Sequence, residues 1–341
     1  MRTVPFLSSL AVALAASCAL VGFADATKVL TASNQVMVLD GETLATVKTI
    51  PVGAFVKEFA ATPDGARVFL STSQGVRVIE TADWSLSGLL TDRPVQSLSL
   101  SPDGRTLYVL DYQVTASEGD PATAPRSPEG YRTLALDTAS LATTEFTRYD
   151  ERVFDLGTAT DDGRLFTLEK DAGTLREMRR GENAPVARVE LGPGGDKLNG
   201  MYLRLVSDPL HQRLLLPQLG DPGQIWVYDV KGGAVNSWPL PKPGTPVRGV
   251  ALSPSGERVY LCALQAMYAL DASTGKTAAA VSLDGAFQQV ATSPDGRSVY
   301  ATAPIYGKGG GVARLNPVDL KVEAMVELSE ISPYAIVAVD R

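Results

Sequence analysis

Histidine occurs once in this sequence, at His211, and cysteine twice, at Cys18 and Cys262. Zinc, copper, axial haem ligation and iron–sulfur clusters commonly draw on such residues, so the sequence gives them poor support. It has no C-x-x-C-H run for covalent haem attachment. A Ser-His-Asp site has only His211 available, in a turn-like stretch with no serine placed beside it. Paired carboxylates stay open, because a closed ring brings distant Asp and Glu together, but no spacing marks a pair. Cys262 sits in the apolar run Val259-Tyr-Leu-Cys-Ala-Leu264 and reads as an inert buried thiol. Gly307-Lys308-Gly-Gly-Gly311 lacks the GxxxxGK[ST] pattern of a phosphate loop. No catalytic residue and no metal ligand is assigned.

Excess positive charge is also missing. The formal net charge is -7, so no general attraction to nucleic acid or anionic lipid is expected. Long apolar runs are absent after the first 26 residues, so no membrane span is expected. Those residues have the form of a secretory signal: Arg2, an apolar stretch from Phe6 to Phe23, and Ala24-Asp25-Ala26 as an A-x-A cleavage site. A lipoprotein signal at Cys18 fits less well, since Leu14 stands one place too early and the apolar run continues past the cysteine. The mature chain, 27–341, is expected to be exported, with Cys262 its one thiol and therefore no intrachain disulfide.

What is present is a repeat. Leu98-Ser-Leu-Ser-Pro-Asp-Gly-Arg-Thr-Leu-Tyr-Val-Leu110 recurs as Phe59 to Leu70, Val250 to Leu261 and Val290 to Ala301, and in weaker form at Thr160 to Phe166 and Ser207 to Leu214. Proline presets a tight turn, Asp caps its own backbone and glycine accepts positive φ. Alternating Val, Leu, Tyr and Phe then start a strand. Third strands such as Val36 to Asp40, Ile225 to Asp229 and Met267 to Asp271 follow, and a polar fourth strand closes each unit. Units of roughly forty residues with four strands and no helical period predict an all-β, seven-bladed β-propeller of four-stranded antiparallel blades. Lys28 to Val52 supplies only three strands and Ser332 to Asp340 only one. Pairing N- and C-terminal strands in one blade closes the ring and hides two sheet edges.

Polar residues near the starts of the first strands define a candidate ring at the channel mouth: Lys57, Gln96, Asp155, Arg248 and Gln288, with Arg204 close to register and Arg152 just ahead of Asp155. They either hold an anionic ligand, dock a partner, or are hydrated strand ends. Loops on the same face supply docking candidates. The longest insertion runs from Tyr112 to Tyr131, a second spans 219–223, and a third carries Tyr306 and Lys308.

The Ser-Pro-Asp-Gly-Arg turns and x-x-Leu-Asp strands resemble YVTN-type bacterial propeller repeats. Val29-Leu-Thr-Ala-Ser-Asn-Gln-Val-Met-Val-Leu-Asp-Gly-Glu-Thr-Leu44 and the long loop after Leu107-Tyr-Val-Leu-Asp-Tyr112 are similar to the β subunit of quinohemoprotein amine dehydrogenases. The resemblance implies a periplasmic complex that oxidises primary amines. It implies cysteine tryptophylquinone and haem c on partner chains, with none bound by this chain alone, and a propeller that serves as a docking scaffold. A free-standing periplasmic propeller binding a small ligand or protein, or a lactonase-type hydrolase, are the alternatives.

Overall fold

The computed structural model describes residues 26–116, 126–160, 162–169, 173–191, 204–218, 223–242, 246–263, 265–282, 287–305 and 309–341. The leader, residues 219–222, Tyr306 and Lys308 lie outside the described residues. The described residues form 28 strands, β1 to β28 in chain order, in seven four-stranded antiparallel sheets. The one helical element among them is a 3-10 turn at Pro209–His211. No helix of the described residues is long and apolar enough to cross a membrane.

Blade 1 joins the ends of the chain. Its order is β28 (Ala335–Asp340), β1 (Thr27–Ala32), β2 (Gln35–Asp40) and β3 (Thr46–Pro51). The register runs from Thr27 opposite Asp340 to Ala32 opposite Ala335, and Thr27 Oγ1 donates to Asp340 Oδ1 at 2.8 Å. Blades 2 to 7 follow in sequence, each beginning with its innermost strand. These are β4 (Val56–Ala61), β8 (Val95–Leu100), β12 (Asp155–Gly157), β16 (Val206–Asp208), β20 (Val247–Leu252) and β24 (Gln289–Thr292).

The core lies between blades. Seven apolar clusters occupy the seven blade-to-blade interfaces. In β5 (Arg67–Thr72), Val68 and Leu70 pack toward blade 1 whereas Phe69 packs toward blade 3. Both faces of that strand are therefore dry, which is why consecutive positions are apolar. Fourth strands meet solvent, as in β23 (Thr277–Ser282), where no residue is fully buried.

The Pro-Asp-Gly turns ring one face of the molecule. Gly104 N donates to Ser101 O at 2.8 Å, Ser101 Oγ to Asp103 Oδ1 at 2.7 Å, and Gly104 has φ +72°. A Cβ on Gly104 meets Pro63 Cδ at 2.4 Å. The glycine is thus needed twice, for the turn and for close approach to the proline of the preceding blade's turn.

The Tyr112–Tyr131 insertion differs from the irregular loop expected. β9 (Thr106–Ala116) and β10 (Arg126–Asp137) continue as an extended hairpin, with Gln113 opposite Glu129 and Ala116 opposite Arg126. An irregularity between Glu129 and Arg132 absorbs the change from blade to extension. The sequence hides it because the arm extends each strand by only a few residues, and Pro128 and Gly130 in the second read as loop rather than strand.

Candidate functional site

Antiparallel registers fix which residues of the innermost strands stand at one height. Ala61 faces Val68, Leu100 faces Leu107, Leu252 faces Val259 and Thr292 faces Val299. Counting along each strand from these pairs puts Glu58, Ser97, Asp155, Arg204, Gly249, Gln289 and Ala335 on one level. The next level toward the mouth carries Lys57, Gln96, Phe154, Arg248, Gln288 and Tyr334. The candidate ring is therefore two rings. Asp155 falls below Lys57 because the turn from Gly163 to Leu165 is one residue shorter than that from Gly65 to Val68. Lys57, Gln96 and Arg248 are each the extra residue at a register shift in their strands. A bulge of this kind re-aims a side chain, here at the channel mouth.

The lower ring is charged. Arg204 reaches across from blade 5, and its Nη1 lies 3.3 Å from Glu58 Oε2 in blade 2. Leu98 N donates to the same oxygen at 3.1 Å. Asp155 accepts from Leu205 N at 2.7 Å, Leu156 N at 2.9 Å and Ser97 Oγ. Burial pushes the Glu58 and Asp155 carboxyls up, and Arg204 opposes that shift in both. The Glu58 charge holds Arg204 protonated beyond its ordinary range, against desolvation. About a quarter of the Glu58 and Arg204 side chains, 25% and 27%, still faces the channel. Above them Lys57 Nζ donates to Val95 O at 3.3 Å and Gln96 Oε1 at 3.5 Å. Desolvation lowers the Lys57 ammonium, helped by the nearby Arg204 charge.

A patch of rings and cations adjoins this mouth at the base of the hairpin. The Tyr112 and Tyr131 rings lie 5.7 Å apart, with Tyr112 half-buried and Tyr131, expected as a docking residue, buried in the core between blades 3 and 4, and Arg152 stands 4.6 Å over the Phe154 ring. Arg152 lies within hydrogen-bonding reach of the Tyr131 hydroxyl. Gln96 Nε2 donates to Phe154 O at 3.1 Å, tying the patch to the channel. Phe55, 42% exposed, pairs with Tyr334 at 5.2 Å across the blade 1–2 seam. Sequence reading thus found the cations but not Glu58, Ser97, Phe154 or Tyr334. Glu58 and Ser97 sit directly after residues it singled out, and a register count from the turns is the signal that recovers them.

The remaining candidates are spread out. Gln289 Nε2 donates to Arg248 O at 3.2 Å, and Gln288 N donates to Thr302 O at 2.9 Å. His211 lies in the turn before β17 (Arg213–Gln218), on the opposite face, with Nδ1 2.9 Å from Asp208 Oδ2. Cys262 is fully buried in β21 (Arg258–Ala263), and burial pushes its thiol up.

No family model matches the chain, and no curated protein does. Solved structures are similar in fold. Hydrazine synthase of Kuenenia stuttgartiensis aligns with a TM-score of 0.61 at 14% identity, over 83% of this chain and 89% of the other. Apo AztD of Citrobacter koseri aligns at 0.63 and 14%, over 92% and 98%. Dihydro-heme d1 dehydrogenase NirN, in complex with DHE, aligns at 0.55 and 16%, over 92% and 74%. At these identities the likeness is one of fold, the seven-bladed propeller.

Proposed function

We propose that this chain is an exported, periplasmic, non-catalytic propeller subunit of a redox complex of the quinohemoprotein amine dehydrogenase type. In this reading a cofactor-bearing chain docks on the mouth face, and cysteine tryptophylquinone and haem c sit on partner chains during oxidation of primary amines. The observation that carries it is the patch of Tyr112, Arg152 and Phe154, backed by the buried Tyr131 ring, beside an extended hairpin. Aromatic residues and arginine at the centre of a surface are the groups that anchor protein partners, because they offer large contact area with few rotors to freeze. The two structures whose names denote hydrazine synthase and a dihydro-heme d1 dehydrogenase have the same ring, so the architecture suits a redox assembly.

The engaged state of the interior groups adds support. Asp155 is held by three donors and Cys262 is shut in the blade core. Neither is poised as a base or nucleophile. Purification of the native protein from its host tests the reading. The expected result is co-elution with a chain showing haem c absorption bands and with a small quinone-bearing chain, lost on replacing Arg152 and Tyr112 together with Ala. A colourless, monomeric native protein overturns it.

A further inference from the structure

Directly below the charged ring the channel turns apolar. Phe59, Leu98, Leu156, Leu205, Val250, Val290 and Ile336 share the next level of the seven innermost strands. All but Leu156 line a cavity of about 290 Å³ together with Lys57, Glu58 and Arg204. Phe59, Val250 and Ile336 remain half-buried near the ring axis, whereas Leu98, Leu156, Leu205 and Val290 are buried in the blade-to-blade cores, so the open lumen lies beside the first three. Ser99, Ser207 and Gln289 also line it, so apolar and polar groups share its wall, and a concave space with convergent polar groups beside apolar side chains is a usual form of small-molecule site. At about 30 Å³ per water-sized group, this one takes on the order of ten non-hydrogen atoms.

The charges at its end are not evenly matched. Asp155 is occupied by Ser97, Leu156 and Leu205, and Glu58 by Arg204 and Leu98. Lys57 donates to two neutral oxygens at long distances. Among the described residues no carboxylate stands within ion-pairing distance of its Nζ. A cation so placed, with Arg204 nearby, selects an anion. An alkylammonium ion of the same shape has to displace Arg204 from Glu58 and strand a guanidinium in the lumen.

We propose that the channel holds a small aliphatic monocarboxylate, with its carboxylate beside Lys57 Nζ and the Arg204 guanidinium and its chain against the apolar level. The patch at the hairpin base contributes none of these groups, so the site stands whether or not a partner docks there.

Calorimetric titration of the full mature chain with hexanoate at pH 7 tests the proposal. Saturable one-to-one binding is expected, about fourfold tighter per added methylene from butanoate to hexanoate and levelling off beyond about ten non-hydrogen atoms. Lys57→Gln weakens binding more than about tenfold, as loss of a charged hydrogen bond does. Val250→Phe fills the lumen from another blade and abolishes binding. Circular dichroism establishes that each variant is folded. Absence of hexanoate binding to the wild-type chain overturns the proposal by itself. So does hexylammonium binding as tightly as hexanoate, or a folded Lys57→Gln variant that binds like the wild type.

Discussion

Two arcs of the ring are built differently. Blades 2, 3, 6 and 7 carry the Pro-x-Gly turn, and their turns lean on one another, with Gly104 against Pro63 and Gly296 against Pro254. Blades 4 and 5 have lost it. Gly163 keeps φ +76° but touches nothing within 4 Å, and blade 5 replaces the turn by the 3-10 segment Pro209–His211. The irregular blades nevertheless supply two of the three charges of the lower ring, Asp155 and Arg204. At the same height the regular blades place Ser97, Gly249 and Gln289, with Glu58 the one charge. The regular arc keeps the architecture uniform, and the irregular arc concentrates polarity on the axis. Repeat identity and chemical distinctiveness trade places around the ring.

The largest way to break this contrast is to remove the charge that joins the arcs. Glu58→Ala strands Arg204 in the channel and is expected to cost about 3 kcal/mol, within the range for a broken buried pair. Urea unfolding measures it, and the double variant with Arg204→Ala should recover part of the loss. Simple additivity of the two single effects means that the pair is fully hydrated and does not couple the arcs.

A smaller effect separates the turns. Gly104→Ala combines unfavourable φ with overlap on Pro63 and should destabilise by about 2 kcal/mol. Gly163→Ala meets open space and should lose only the backbone contribution, about 1 kcal/mol. Equal shifts in thermal midpoint for the two variants contradict the account of turns that brace one another.

The smallest effect is in pH dependence, where Asp155 on the axis of the irregular arc and Asp103 in a regular turn have opposite sign. Burial raises Asp155, so the folded ring binds its proton more readily than the unfolded chain does. The stability it contributes therefore grows as pH falls from above the raised value toward the ordinary carboxylate range near about 4. Asp103 is lowered by its bond from Ser101 and the backbone of Arg105. Its contribution is present above the ordinary range and disappears as pH falls through its depressed value. Between pH 8 and pH 5 the urea midpoint of wild type should gain on that of Asp155→Asn, whereas the gap to Asp103→Asn should stay flat. A flat gap for Asp155→Asn means its carboxyl titrates in the ordinary range.

Architecture was legible in the sequence because its physical cause is local and repeated. Pro63, Pro102, Pro254 and Pro294 each announce a turn, and the apolar second strands announce sheets buried on both faces. The ring closure was legible too, from three strands at one end and one at the other. The site was legible only in part. Lys57, Gln96 and Arg248 stand out because polar residues begin otherwise apolar strands, but the partner that matters to Arg204 is Glu58, 146 positions away in the chain. No local pattern encodes a contact across an axis. Asp155 was seen but set one level too high, since a deletion in a turn shifts register without leaving any mark in composition. The hairpin arm was taken for a loop because Gln113 to Ala116 is too short a stretch to show a strand period and Arg126 to Gly130 carries proline and glycine.

Closure through β28 also has a consequence in time. The strand that seals the seam lies at the far end of the polypeptide from the strand it pairs with, so blades 2 to 7 can form while blade 1 still shows a bare edge at Thr27–Ala32. The seam cannot close before Asp340 has been synthesised, which makes β28 the clasp of the whole molecule.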